Sequence, residues 1–492
     1  MTLRTKKFMI VVLVVAVGAA ILFSSVARKR SLIDQDEAAC IFSGYYWELY
    51  RTGKWNDPIW HEFMEYAEHP PGGGYLYGLM LNMIGKPVKT IEPRRYWFQN
   101  SLDPTYFPNK FHLGLQERYS EEQVVVGRYV SAVIALLTAL IVMLMLFRLS
   151  GFFEGVAGFI LLMIHPAFVY VGTIATFDIF VIFLSVITIF LTMEVQRNGA
   201  QSTGRIAIIG LCTSVTLGIS LLTKISAYAL LPAMFICVAV LSRSGRHFLR
   251  GICALFCIAM LACVISYVLD PASHGDPIGT LIERTVWRID RIEIQQITSP
   301  AYALQTYIDR LKYALYELFF SGTGTLIGFI LFVSGILSVI ALGKRGRERF
   351  LIVSLALYFM VINFALLPLA WIRYISAYIP FIILVEGLGA GLILSLLKGW
   401  VRLTGRVRAS LLISLLVSVS VGGFAVRWLA SNHLPSITVG EANLAPAFGY
   451  SISQPGKDAK LHRLLYDHFK SIGNEKRAVF QLKQLEKMEI DP

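Results

Sequence analysis

The chain has 492 residues, of which 55% are hydrophobic and only 16% charged, with a formal net charge of +13. A soluble globular protein carries about 25% charged residues. This composition excludes an ordinary soluble domain, and because the basic residues sit in short loops between apolar runs, it argues against nucleic-acid binding.

The apolar runs each approach the roughly 20 residues that cross a bilayer as a helix. In chain order they fall at about 8–27, 124–147, 152–171, 174–194, 206–222, 226–242, 248–268, 324–342, 350–370, 374–397 and 409–429. The fold class expected is an all-α polytopic membrane protein of about eleven transmembrane helices. The first run, "FMIVVLVVAVGAAILFSSVA", is longer than the roughly 7–15 residues of a signal-peptide core and is read as a retained span.

Basic loops set the sides. "SRSGRHFLR" (242–250), "GKRGRERF" (343–350), "KGWVRLTGRVR" (398–408) and, more weakly, "QRNGAQSTGR" (196–205) are expected in the cytoplasm. The span count between them is always even. The N-terminus is then cytoplasmic. The opposite face receives a long first loop (about 28–122), a second loop (about 269–323), and the C-terminal segment 430–492. This divides the chain into a membrane domain, 1–429, and a small extracytoplasmic tail. In the tail, Leu461, Leu464, Leu465 and Phe469 share one helical face, as do Phe480 and Leu485, so a helical hairpin packed on the membrane domain is expected. Cys212, Cys237, Cys253, Cys257 and Cys263 lie in apolar runs and Cys40 in a polar loop, with no disulfide framework evident.

The unusual polar residues fall on the non-cytoplasmic face. They are Asp34, Asp36 and Glu37 after the first span, Glu68 and His69 in "EHPPGGG", Asp178 in "TFDIF", Lys224 in "LLTKIS", and Arg373 and Tyr374 in "WIRYISAYIP". Each has a plain explanation: solvated loop, rigid turn, snorkelling lysine, topological anchor. Together they place carboxylates and cations beside apolar helices at a single membrane surface. That mixture suits a substrate with a phosphate head and a lipid tail. Cations hold the phosphate, and a carboxylate accepts a proton from an attacking hydroxyl.

These segments resemble the GT-C glycosyltransferases, in the branch of protein O-mannosyltransferases and the lipid A aminoarabinose transferase. "DEAACIFSGYYWELYRTGKWNDP" is similar to that family's Asp-Glu segment, and "EHPPGGGYLYG" to its His-Pro-Pro or Lys-Pro-Pro motif. "TFDIFVIFL", "LLTKISAYALLP" and "RYISAYIPFIIL" match its later Asp, Thr-Lys and Arg-Tyr signatures. The likeness covers about residues 30–390. Gly72, Gly73 and Gly74 depart from it, standing where the family usually has leucine.

The resemblance implies transfer of a sugar from a polyprenyl-phosphate donor to a glycan, lipid or protein acceptor on the outer face, with inversion. It implies Asp36 as catalytic base or acceptor-positioning carboxylate, Glu37 as its support and Asp178 as a second acid. It sets His69, Lys224, Arg373 and Tyr374 at the donor phosphate. The setting implied is a bacterial inner membrane. No cofactor is expected to be required, with a divalent metal near Glu68 and His274 as the alternative. Prolines would hold His69 at the phosphate, and the glycines would let backbone approach donor or acceptor. "YLYGLMLNMIG" would lie along the interface with its tyrosines at headgroup level. Glu283, Arg284, Arg288, Asp290, Arg291 and Glu293 read as a solvated, salt-bridged helix outside the site. Two readings of other classes compete: a lipid or glycolipid transporter, and a non-catalytic membrane protein of envelope assembly. A transporter would carry its polar groups near the midplane between repeats; a scaffold would tolerate Asp36→Asn.

Overall fold

The computed structural model describes residues 3–28, 36–61, 70–90, 121–197, 203–286, 304, 306–319, 325–341, 346–366, 375–400 and 470. Among the described residues every regular element is a helix and none is a strand. In chain order the helices are α1 (Leu3–Arg28), α2 (Asp36–Phe42), α3 (Tyr45–Arg51), α4 (Gly72–Met83), α5 (Glu121–Leu149), α6 (Phe152–Ile164), α7 (Pro166–Val171) and α8 (Asp178–Arg197). They continue with α9 (Thr203–Thr223), α10 (Leu230–Leu241), α11 (Gly245–Val268), α12 (277–286), α13 (Tyr307–Phe319), α14 (Thr325–Ala341), α15 (Gly346–Leu366) and α16 (Ile379–Trp400). Among these, α1, α5, α8, α9, α11 and α16 are long and apolar enough to cross a membrane. The chain is an integral membrane protein.

Two expected spans are interrupted, each for a local reason. The window 152–171 divides at His165, which takes extended geometry (φ −71°, ψ 118°). Pro166 disfavours the helical conformation for the residue before it, and then starts α7 itself, where its missing N–H costs nothing. The window 226–242 begins with a 3₁₀ segment, Ile225–Ala229, because Lys224 is extended (φ −159°, ψ 138°). The window 409–429 and the tail hairpin lie outside the described residues, apart from Lys470.

Helices pack through small residues. A Cβ on Gly389 would overlap Leu331 O, and one on Gly335 would overlap Val385 O, so the α14–α16 contact needs both glycines. In lipid, where tails are as apolar as the side chains, such close backbone approach is a main source of helix association.

Among the described residues, contacts at one end of the bundle link the stretches around residues 148, 197, 242 and 347. Arg197 Nη1 donates to Arg148 O at 3.5 Å, Gln196 Nε2 to Ser242 Oγ at 2.8 Å, and Arg347 Nη1 to Ser242 O at 3.3 Å. The opposite end carries the start of α8, the end of α9, the end of α11 and the α2–α4 segment.

The first loop is not an open polar stretch where it is described. Tyr46 stacks on Trp60 at 5.1 Å, and Tyr50 and Tyr75 approach at 5.2 Å. Trp60 Nε1 donates to Lys54 O at 2.9 Å. Cys40, assigned to a polar loop on sequence, is buried in α2. The aromatic residues form a cap over this end of the bundle.

Candidate active site

Glu37 and Arg128 meet in the interior, where both side chains are almost completely buried. Arg128 Nε donates to Glu37 Oε1 and Nη2 to Oε2, each at 2.7 Å. The paired, parallel bonds are the strong bidentate arrangement of guanidinium and carboxylate. Ala175 N–H also donates to Oε1, at 2.9 Å. Glu37 thus ties α2 to α5 and to the turn that precedes α8. Asp36 is the first residue of α2. The clamp on its neighbour holds the N-terminus of α2 at the segment leading into Asp178.

Asp178 is the first residue of α8, and Lys224 follows directly on α9. Lys224 Nζ donates to Asp178 Oδ1 at 2.5 Å. The positions favour both charges: a carboxylate is stabilised at a helix N-terminus and a cation beyond a C-terminus. The pair is not sealed, with side-chain exposures of 18% for the lysine and 13% for the aspartate. An ammonium has three N–H donors, so this contact leaves others for a second anionic ligand.

Tyr77 braces the floor between these groups. Its hydroxyl is 2.9 Å from Ser131 Oγ and donates to Thr176 O at 3.1 Å. Its ring meets Phe180 edge-on at 4.8 Å. Burial pushes the hydroxyl pKa well above its usual value, the charges of Cys40, Glu37 and Asp178 add to this, and the Ser131 bond opposes it.

The glycines of "EHPPGGG" do a different job from the one expected. A Cβ on Gly72 would come 2.8 Å from Leu222 O, and one on Gly73 would run into the Phe177 ring. On Gly74 it would overlap Ser43 O, and on Gly78 it would overlap Gly44 O. The close approach is to the protein's own backbone and core, which lets α4 lie between the α2–α3 turn, Phe177 and the end of α9. The α4 tyrosines Tyr75 and Tyr77 are buried in the protein. Tyr75 donates to Leu269 O at 2.9 Å. Burial raises its pKa well above the usual value, Tyr50 and Tyr46 add to this, and Arg284 offsets it in part.

Arg284 is also unlike its expectation. It is buried and pairs with buried Asp270, Nη1 to Oδ2, at 2.7 Å. Asp270 Oδ2 also accepts from Ser273 Oγ at 2.6 Å. Of the remaining sequence candidates, His69, Arg373 and Tyr374 lie outside the described residues, as do Glu68 and Asp34. His274 Nε2 lies 3.1 Å from Tyr267 O. Among the described residues no group of three or more His, Cys, Asp or Glu is placed to hold a metal ion.

Sequence reasoning missed Arg128, Tyr77, Asp270 and the buried Glu386 on α16, which faces Gly328 on α14. Arg128 and Glu386 were detectable in principle, since a charge inside an apolar run demands a partner or a role.

No protein-family model matches the chain, and no curated protein does. Solved structures do. ArnT from Cupriavidus metallidurans bound to undecaprenyl phosphate superposes with a TM-score of 0.53 at 15% identity, over 97% of this chain and 75% of that one. The chain has the GT-C fold. The archaeal oligosaccharyltransferase AglB from Archaeoglobus fulgidus, in complex with an inhibitory peptide and a dolichol-phosphate, aligns over 94% of this chain and 59% of that one, at 13% identity and a TM-score of 0.49. At these identities the likeness concerns architecture.

Proposed function

We propose that this protein is a glycosyltransferase that moves a sugar from a polyprenyl-phosphate-linked donor to a cell-envelope acceptor, with inversion, on the extracytoplasmic side. The observation that carries the reading is the partly exposed Asp178–Lys224 pair beside the clamped N-terminus of α2, where Asp36 begins the helix. Its support is the architecture shared with a protein crystallised with undecaprenyl phosphate.

In this reading the acceptor hydroxyl attacks the anomeric carbon opposite the phosphate. The C–O bond to phosphate breaks as the new glycosidic bond forms. Asp36 takes the acceptor proton, and the lipid phosphate leaves with the bonding electrons. Lys224, with His69, Arg373 and Tyr374, stabilises the charge developing on that phosphate, so no general acid is needed. Asp178 holds the Lys224 ammonium in place. Glu37 contributes by fixing α2. In this reading the basic end of the bundle faces the cytoplasm, with this site and the C-terminal segment on the other side.

The test is transfer of radiolabel from polyprenyl-phosphate sugars in membranes containing wild type or Asp36→Asn at equal protein level. Loss of a general base costs about 10²–10⁴-fold in rate. Label moved by wild type and lost in the variant supports the enzyme and identifies the acceptor fraction. Equal transfer by both removes Asp36 from the mechanism. No transfer from any donor rejects the reading.

A further inference from the structure

Arginines from the ends of four helices meet around Ser242. Arg148 lies in the last turn of α5, Arg197 closes α8, Arg243 follows α10, and Arg347 opens α15. Hydrogen bonds build the convergence. Buried Gln196 sends Nε2 to Ser242 Oγ at 2.8 Å, Arg347 Nη1 donates to Ser242 O at 3.3 Å, and Arg197 Nη1 to Arg148 O at 3.5 Å. His247 completes the network. Its Nε2 is 3.1 Å from Gln196 O, and its Nδ1 accepts from Arg243 N–H at 3.2 Å. A carbonyl only accepts, so Nε2 carries the proton, Nδ1 is a bare acceptor, and the imidazole is neutral. It fixes the Arg243 backbone without adding charge.

The four arginines are exposed, and among the described residues no carboxylate pairs with any of them. The inner cations Arg128, Lys224 and Arg284 each have one. Arg197 and Arg347 each spend one guanidinium donor on a backbone carbonyl and keep the rest. Four like charges held together repel one another, and an anion relieves that repulsion. Its chemistry follows from the level of the cluster. The spans α5 and α8 end here and α11 begins, so the arginines stand where a bilayer has its headgroups. Leu144, 41% exposed, precedes Arg148 by four residues, and Phe350, 52% exposed, follows Arg347 by three. Those spacings put each pair on one helix face. Each of these arginines therefore has an exposed apolar side chain on its membrane side. A soluble anion would use only the guanidinium groups; an amphiphile uses both.

We propose that Arg148, Arg197, Arg243 and Arg347 form a binding site for an anionic phospholipid whose head carries two phosphodiesters, its acyl chains lying on the apolar surface below them. Basic pockets between spanning helices hold such headgroups, and guanidinium groups match phosphate oxygens in paired hydrogen bonds. Two phosphates balance four arginines at two apiece. The bound head would tie α5, α8, α10 and α15 together at the end of the bundle opposite the Asp178–Lys224 pair. The proposal stands whether or not the chain transfers sugars.

The test titrates the full chain, purified in neutral detergent, with cardiolipin or phosphatidylcholine and counts bound lipid by native mass spectrometry. Wild type is compared with Arg197→Gln plus Arg347→Gln, and with Arg4→Gln plus Lys6→Gln, a control that removes the same charge from exposed positions on α1. The cluster variant leaves the buried Gln196–Ser242 bond in place. Each arginine facing an anionic lipid contributes about five-fold in affinity, so the cluster variant is expected to bind cardiolipin about thirty-fold more weakly. The control is expected to bind as wild type does. Wild-type affinity in the cluster variant, an equal loss in the control, or phosphatidylcholine bound as well as cardiolipin overturns the proposal. Displacement of cardiolipin by sodium pyrophosphate at equal concentration assigns the cluster to a soluble anion and overturns it too.

Discussion

Removing the charge of Glu37 separates a structural carboxylate from a catalytic one. Glu37→Gln keeps the side-chain shape and retains an oxygen for Ala175 N–H. It leaves the buried Arg128 guanidinium facing a neutral amide. Breaking a buried pair from one side typically costs about 3–5 kcal/mol, because the surviving charge stays desolvated. The retained oxygen places Glu37→Gln near the lower end of that range. Replacing both partners, Glu37→Leu with Arg128→Met, removes both charges and recovers most of the loss. It still strands Ala175 N–H, which costs about 1–3 kcal/mol. Reversible unfolding in mixed micelles with rising sodium dodecyl sulfate, followed by tryptophan fluorescence, measures wild type, Glu37→Gln, the double variant, and Glu37→Leu and Arg128→Met alone. The reasoning fails if Glu37→Gln unfolds with wild-type stability, or if the double variant loses the sum of the single losses. An unchanged stability together with lost transfer would return Glu37 to the chemistry.

Further outcomes follow from other contacts. Gly74→Ala forces a methyl onto Ser43 O, a backbone atom that cannot rotate away; overpacking of this kind costs about 1–3 kcal/mol and is expected as a lower unfolding midpoint. Tyr77→Phe leaves Thr176 O without its donor, at a cost of about 1–3 kcal/mol, read in the same titration. Lys224→Ala is expected to slow transfer by about 10²–10³-fold while its partial exposure keeps the stability loss small; a variant that unfolds but transfers normally per folded molecule would reject the phosphate role. Arg284→Ala strands the buried Asp270 carboxylate and is expected to destabilise by about 3–5 kcal/mol; wild-type unfolding behaviour would show that the pair does not hold α12.

Much of the fold was legible because apolar runs and basic loops report directly on bilayer crossing. Asp178 and Lys224 stood out for the same reason, as charges at the ends of apolar runs. Their mutual contact was not legible, since they are 46 positions apart and no local period links them. Arg128 escaped notice inside an apolar run, although its partner Glu37 had been singled out 91 positions earlier. The glycines of "EHPPGGG" were recognised as sites of close approach, but sequence does not say whose backbone approaches. Arg284 was misread because a stretch rich in both charges looks solvated; Asp270, which buries it, lies in the preceding turn. His69, Arg373 and Tyr374 rest on the motif resemblance.

Burial sorts the two carboxylates that meet at this end of the bundle. Glu37 is sealed, with both oxygens engaged by a guanidinium and one also by a backbone amide, so a reacting group has no route to it. Asp178 is partly open and shares its proton-rich partner with solvent. A closed bidentate clamp resists exchange, whereas a half-open lysine pair can admit an anion without first exposing a buried charge. The fixed element is therefore the one that carries Asp36, and the adjustable element is the one that carries Lys224. In the proposed reaction, that division puts rigidity beside the proposed proton acceptor, Asp36, and exchangeability at the proposed phosphate ligand, Lys224.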